Sequence, residues 1–147
     1  MWSDTLLLAE RAHLARLFLW GASSVVAGTA VLAFLRLRRA RSALLTQFAI
    51  QTAAWGLLNL VLALAARRAL RERDVAGATR LDRFLWLNVG LDAGYIGVGL
   101  TLALAGWFLG RRLGVVGAGV GVVVQGLALL VLDLYVIGAI ERLAFNG

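Results

Sequence analysis

Four long apolar runs dominate this chain, and each stops at arginine or a charged pair. They cover about residues 17–35, 43–66, 84–110 and 113–140. Arg36, Arg38, Arg39 and Arg41 close the first run, and Arg67 and Arg68 the second. Arg111 and Arg112 close the third, and Glu141 and Arg142 the fourth. A membrane span needs about 20 apolar residues at a rise of about 1.5 Å each. All four runs reach that length, and the last two exceed it and should tilt. The expected fold is therefore all-α: a polytopic membrane protein built as a four-transmembrane-helix bundle.

Composition agrees. The chain is 61% hydrophobic with a mean hydropathy of +0.85, against roughly 45–50% apolar for a soluble domain. It has no Cys, which excludes disulfides, thiolate metal sites and Cys nucleophiles. It has no Pro, so any helix break must come from its 17 Gly. All fifteen basic residues are Arg, which suggests a GC-rich genome. A pI near 11.6 would suggest nucleic acid in a soluble protein. Here the arginines flank apolar runs, so lipid phosphates and the positive-inside bias explain them better. The lipid bilayer is the expected partner, and nucleic acid is not.

The polar segments are few. Residues 1–16 mix Asp4, Glu10, Arg11, His13 and Arg16 with Leu6, Leu7, Leu8 and Leu14. They read as an interfacial amphipathic segment and not as a cleaved signal peptide. Residues 67–83 carry six Arg with Glu72, Asp74 and Asp82 and read as a solvated linker, helical over 69–75 and broken at Gly77. Residues 141–147 form a short tail. The organisation is a first helix hairpin over 17–66, the linker, and a second hairpin over 84–140.

The spans are not uniformly apolar. The second places Gln47, Gln51, Trp55 and Asn59 at four-residue steps down one stripe. The third places Asn88, Asp92 and Tyr95 at i, i+4 and i+7 on one face. The fourth carries Gln125, Asp133 and Tyr135. Asp at a span centre costs roughly 2.5–3.5 kcal/mol on insertion scales, so it needs partners. Counting from the flanking charges at 1.5 Å per residue, Asn59, Asp92 and Asp133 each lie roughly 12–14 Å in from the face that holds both termini. They are expected to form one polar layer with Asn88 and Tyr95, with Gln51 and Gln125 deeper. Gly90 with Gly94, and Gly117 with Gly121, form GxxxG pairs that suit close helix packing.

The other aromatic residues and the single His have plainer readings. Trp20, Trp86 and Trp107 lie near span ends as an aromatic belt. Trp55 is core, and Tyr95 and Tyr135 hydrogen-bond within the polar layer. His13 reads as an interfacial residue beside Glu10. A lone His could ligate a haem or chlorin, but no second ligand or attachment motif accompanies it. No cofactor and no metal site are expected.

The two halves also match. Phe18-Leu19-Trp20 reappears as Phe84-Leu85-Trp86, with Gly28 falling on Gly94. Gln51 and Asn59 reappear as Gln125 and Asp133, eight residues apart in both. Two tandem two-helix repeats would insert the same way up, related by an axis along the membrane normal.

The termini side carries nine Arg and the opposite side six. That bias places the termini in the cytoplasm. No HExxH, no GxxxxGK and no credible Ser/His/Asp set appears, so an enzyme is not expected. Gly117-Ala-Gly119-Val-Gly121 resembles a glycine-rich loop only superficially, since it lies inside a span.

Gln51-x7-Asn59, then Leu87-Asn88-Val-Gly-Leu-Asp92-Ala-Gly-Tyr95, then Gln125-Gly-x6-Asp133-Leu134 resemble an uncharacterised group of small bacterial four-span membrane proteins. The resemblance runs from Leu17 to Ile140 and implies a bacterial cytoplasmic (inner) membrane location, with no activity attached. The size invites comparison with small multidrug transporters, but their hallmark Glu in the first span has no counterpart here. The polar layer reads first as structural, Asn, Gln and Asp hydrogen-bonding between spans to fix which faces meet. Of two functions, the first is the expected one and the second the alternative. One is a non-catalytic subunit or scaffold packing with itself, as a homo-oligomer, or with a larger membrane complex. The other is a small transporter or channel for protons, cations or a small substrate, using Asp92 and Asp133. Two carboxylates in a water-poor place can share one proton, and the same oxygens suit a hard cation.

Overall fold

The computed structural model describes residues 2–145. It is all-helical: α1 is Trp2–Leu37, α2 Ala43–Arg68, α3 Val75–Phe108 and α4 Leu113–Phe145. Each helix is long and apolar enough to cross a membrane. The 36 residues of α1 extend about 54 Å at 1.5 Å per residue, well beyond a hydrocarbon core of about 30 Å. Its polar N-terminal part therefore continues the span as one rod. Residues 2–16 are thus not a separate helix but the first part of α1, and Met1 lies outside the described residues. The tail 141–147 is likewise helical through Phe145, with its last two residues outside the described set.

The linker is also shorter than its charge content implies. Residues 75–83 belong to α3, and only 69–74 lie between helices. The helical stretch expected over 69–75 and the break expected at Gly77 are both reversed. The reason is a cap: the Asp74 carboxylate accepts a 2.7 Å hydrogen bond from the Gly77 backbone N–H. Ser42 caps α2 in the same way through the Leu45 N–H at 3.3 Å. The two turns on the opposite face are tight. Arg39 and Arg111 sit at positive φ, 50° and 52°. Around Arg39 the Ala40 N–H bonds the Leu35 carbonyl and the Arg39 N–H the Arg36 carbonyl, the pattern of a Schellman end usually closed by Gly.

Two antiparallel hairpins, α1/α2 and α3/α4, make up the bundle. Helix α4 packs against all three others, and α2 joins α1 and α4 into a triangle. The backbone of α3 comes close only to α4. Outward side chains such as Leu19, Val26, Leu57, Leu100 and Val131 form the lipid-facing exterior.

Glycines set the helix spacing. A Cβ on Gly21 would meet the Gly56 carbonyl oxygen at 2.9 Å, and one on Gly56 would meet that of Gly21 at 2.7 Å. In the second hairpin a Cβ on Gly99 would meet the Gly119 oxygen at 2.7 Å, and one on Gly106 the Val116 nitrogen at 2.9 Å. Gly117 and Gly121 of α4 lie against Leu44 and against Phe48 and Gln51 of α2. Only a residue without Cβ lets backbones approach so closely.

Gly90 and Gly94 behave differently from expectation. Neither they nor Gly97 have any atom within 4 Å of an added Cβ. They face outward because Gly99 and Gly106, on another side of α3, take the contact with α4. The proposed equivalence of Gly28 and Gly94 is not mirrored in packing either, since Gly28 lies tight against Ala49 and Ala53. The glycine contacts concentrate in the half of the bundle away from the termini. In the other half, Leu85, Val136 and Ile137 form a small core with Leu81, Val89 and Ile140.

Candidate functional site

Several buried polar groups collect in the half of the bundle that holds the termini, away from most of the glycine contacts. Asp92 on α3 is 4% exposed and Asp133 on α4 is 7% exposed. Their charges lie within interaction range of one another. Asn88, one turn before Asp92, lies on the same face of α3 and near the Asp133 carboxylate. Helix α3 therefore presents Asn88 and Asp92 to Asp133 from one face, as their i, i+4 spacing requires.

The third helix in this cluster is α1. His13 Nε2 lies 3.4 Å from Asp133 Oδ1, with both side chains almost fully buried. His13 is therefore not an interfacial residue. Its position was legible in a stripe that the reading by charge overlooked: Leu6, His13 and Trp20 recur every seven residues along one face of α1. Leu6 is among the most deeply buried side chains, and Trp20 points at α4.

Among the described residues three buried side-chain polar atoms have no hydrogen-bond partner of ordinary geometry: His13 Nδ1, Asp92 Oδ2 and Asn59 Nδ2. Buried polar atoms are ordinarily paired, and each unpaired one carries a desolvation cost. Two of these three belong to the His13–Asp133–Asn88–Asp92 cluster.

A second polar contact lies roughly 12 Å further along α4, eight residues before Asp133. The Trp20 Nε1–H donates to Gln125 Oε1 at 2.9 Å, and Gln125 Nε2–H donates to Ser24 Oγ at 3.2 Å. Trp20 is thus an inward hydrogen-bond donor and not a belt residue, whereas Trp86 and Trp107 are about half exposed on the lipid side.

The single layer expected from depth counting therefore divides. Asp92, Asp133 and Asn88 come together, joined by His13. Gln125 belongs to the separate contact with Trp20 and Ser24. Asn59 is 2% exposed on α2. Gln51 packs its stem against Gly121. Tyr95 is half-buried and meets Trp55 edge-on, ring centroids 4.9 Å apart, rather than hydrogen-bonding in the layer. Tyr135 is exposed, with the Arg16 guanidinium stacked 4.3 Å from its ring centroid.

At the mouth of this half, the linker is tied to α1. Arg73 donates twice to Glu10, through Nε at 3.0 Å and Nη2 at 2.7 Å. This forked hydrogen bond holds the Arg73 proton more tightly than usual, raising its already high pKa.

A family model matches residues 16–134, most of the chain. The chain belongs to the family of unknown function DUF6992. The matched segment takes in Asn59, Asn88, Asp92, Gln125 and Asp133, while His13 lies just before it. No curated protein and no solved structure matches the chain.

Chemically the cluster offers two carboxylates, an imidazole and an amide in a water-poor setting. Among the described residues no group of three His, Cys, Asp or Glu side chains converges as a metal site. Imidazole and carboxylate at this range can hold a proton between them and pass it on.

Proposed function

We propose that this DUF6992 protein is a small, non-catalytic transporter or channel that binds and releases protons at His13, Asp133 and Asp92. The observation that carries the reading is the burial of two acids and the single His together, with Asp92 Oδ2 unpartnered among the described residues. Intramembrane ionisable groups are costly, and in membrane proteins they mark proton and ion paths by default. In this reading protons reach the cluster from the half of the bundle holding the termini, where the cluster lies. The glycine-packed half opposite is the barrier that must loosen for a proton to cross.

The test is flux. The purified protein is placed in liposomes containing a pH-sensitive dye, and a potassium diffusion potential drives protons inward. Flux above protein-free liposomes is expected, lost in Asp133→Asn and Asp92→Asn. Flux no greater than in empty liposomes sinks the reading.

A second reading, a scaffold or oligomeric subunit, is favoured by the outward face of α3. A Cβ added at Gly90, Gly94 or Gly97 meets nothing within 4 Å among the described residues, and the backbone of α3 comes close only to that of α4. A single mass in mild detergent equal to one chain, with no partner retained, argues against it.

The reading places the chain in a bacterial cytoplasmic membrane with both termini inside. Nine Arg on the termini side against six opposite support that orientation. Reporter fusions at the C-terminus and in the turn after Leu37 test it.

A further inference from the structure

A groove of about 600 Å³ runs between α1 and α2 on the termini side of the bundle, within the roughly 300–1,000 Å³ range of ligand clefts. Leu14, Phe18 and Leu64 line its apolar length, and Arg11 and Arg67 stand at its mouth with Leu70. The two arginines come from different helices and converge on one opening. Both are exposed. Neither has a carboxylate within ion-pairing distance among the described residues. Glu10, the acid adjoining Arg11, is already engaged by both arms of Arg73.

We infer that this groove holds one anionic phospholipid, its phosphate between Arg11 and Arg67 and an acyl chain along Leu14, Phe18 and Leu64. Charge complementarity decides the occupant. Two guanidiniums without an ion-pair partner among the described residues, at the level where apolar spans meet polar headgroups, favour an anion there, and guanidinium forks match phosphate geometry. The wall below them, from Leu14 to Leu19 on α1 and along Ala63 and Leu64 on α2, is apolar and runs roughly 12 Å from the Arg11 level, enough for the upper part of a tail, so a free anion would leave that wall unused. A zwitterionic lipid would bring its own cation to the same place and gain less. Basic pockets between spans are known recognition sites for anionic headgroups.

The experiment is native mass spectrometry of the full chain, exchanged into mixed micelles holding equal dioleoyl-phosphatidylglycerol and dioleoyl-phosphatidylcholine. One phosphatidylglycerol per chain is expected to stay bound, with a preference of roughly 30-fold, about fivefold for each arginine near the surface. Arg11→Gln with Arg67→Gln should bring the preference near parity while helicity is kept. Arg36→Gln with Arg38→Gln, on the opposite face, should leave it intact. A third variant, Leu64→Trp, fills the groove without touching the charges and should also release the lipid. Equal retention of both lipids by the wild type overturns the inference. So does a preference unchanged in both the Arg11/Arg67 and the Leu64 variants. Displacement of the lipid by millimolar inorganic phosphate alone would show a free-anion site instead.

Discussion

His13 Nε2 and Asp133 Oδ1, 3.4 Å apart, join the first helix to the last inside the bundle. Helices α1 and α4 touch along less of their length than either does its hairpin partner, so this pair and the Trp20–Gln125 bond hold much of what they share. Polar contacts between spans average about 0.6 kcal/mol and reach about 1.7. A double-mutant cycle with His13→Ala and Asp133→Asn should give a coupling of about 1 kcal/mol in a reversible unfolding assay in micelles. Strict additivity would mean that the two side chains do not interact.

The cluster should contain a titratable carboxyl. In lipid films, a carboxylic-acid C=O stretching band is expected in infrared difference spectra between acid and alkaline conditions. Asp133→Asn and Asp92→Asn should each alter it, because the two acids share one environment. A band that neither substitution changes would place the titration elsewhere.

Glycine substitutions separate inner from outer faces. Gly56→Val should be strongly destabilising, since its Cβ alone would fall 2.7 Å from the Gly21 carbonyl oxygen. Gly94→Ala has open space around it and should be neutral or stabilising by up to about 1 kcal/mol through helix propensity. Thermal unfolding in detergent measures both. If Gly94→Ala also splits an oligomer, the outward face of α3 is an interface and the scaffold reading gains.

The Glu10–Arg73 fork should control access to the linker. Glu10→Gln is expected to raise the rate of trypsin cleavage after Arg73 several-fold in mild detergent. High salt should narrow the difference, because a pair this near the surface is screened. Equal cleavage rates at low salt would show that the fork does not hold the linker.

Arg39 offers a stabilising change. An L-residue at φ 50° is in the left-handed region, which costs about 1–2 kcal/mol relative to Gly. Arg39→Gly should therefore raise the unfolding midpoint, provided the other arginines of that turn keep the orientation. A lowered midpoint would mean that the Arg39 side chain contributes more than the backbone strain costs.

Much of this protein can be read from its residue order. Apolar runs of span length ending in arginine determined four membrane helices, because a bilayer accepts few alternatives. The i, i+4 spacing put Asn88 and Asp92 on one face of α3, and depth counting brought Asp92 and Asp133 to a common level. Hydropathy could not locate the helix ends, since backbone hydrogen bonding continues through polar residues wherever a cap such as Asp74 starts it. Nor could it tell inward from outward among side chains equally apolar or equally small. Gly94 and Gly99 look alike in sequence, yet one meets nothing and the other meets α4. His13 looked interfacial beside Glu10 and Arg11, yet the bundle turns it onto Asp133. Those choices depend on which helix faces which, a long-range matter of backbone approach and side-chain fit that only the tertiary structure decides.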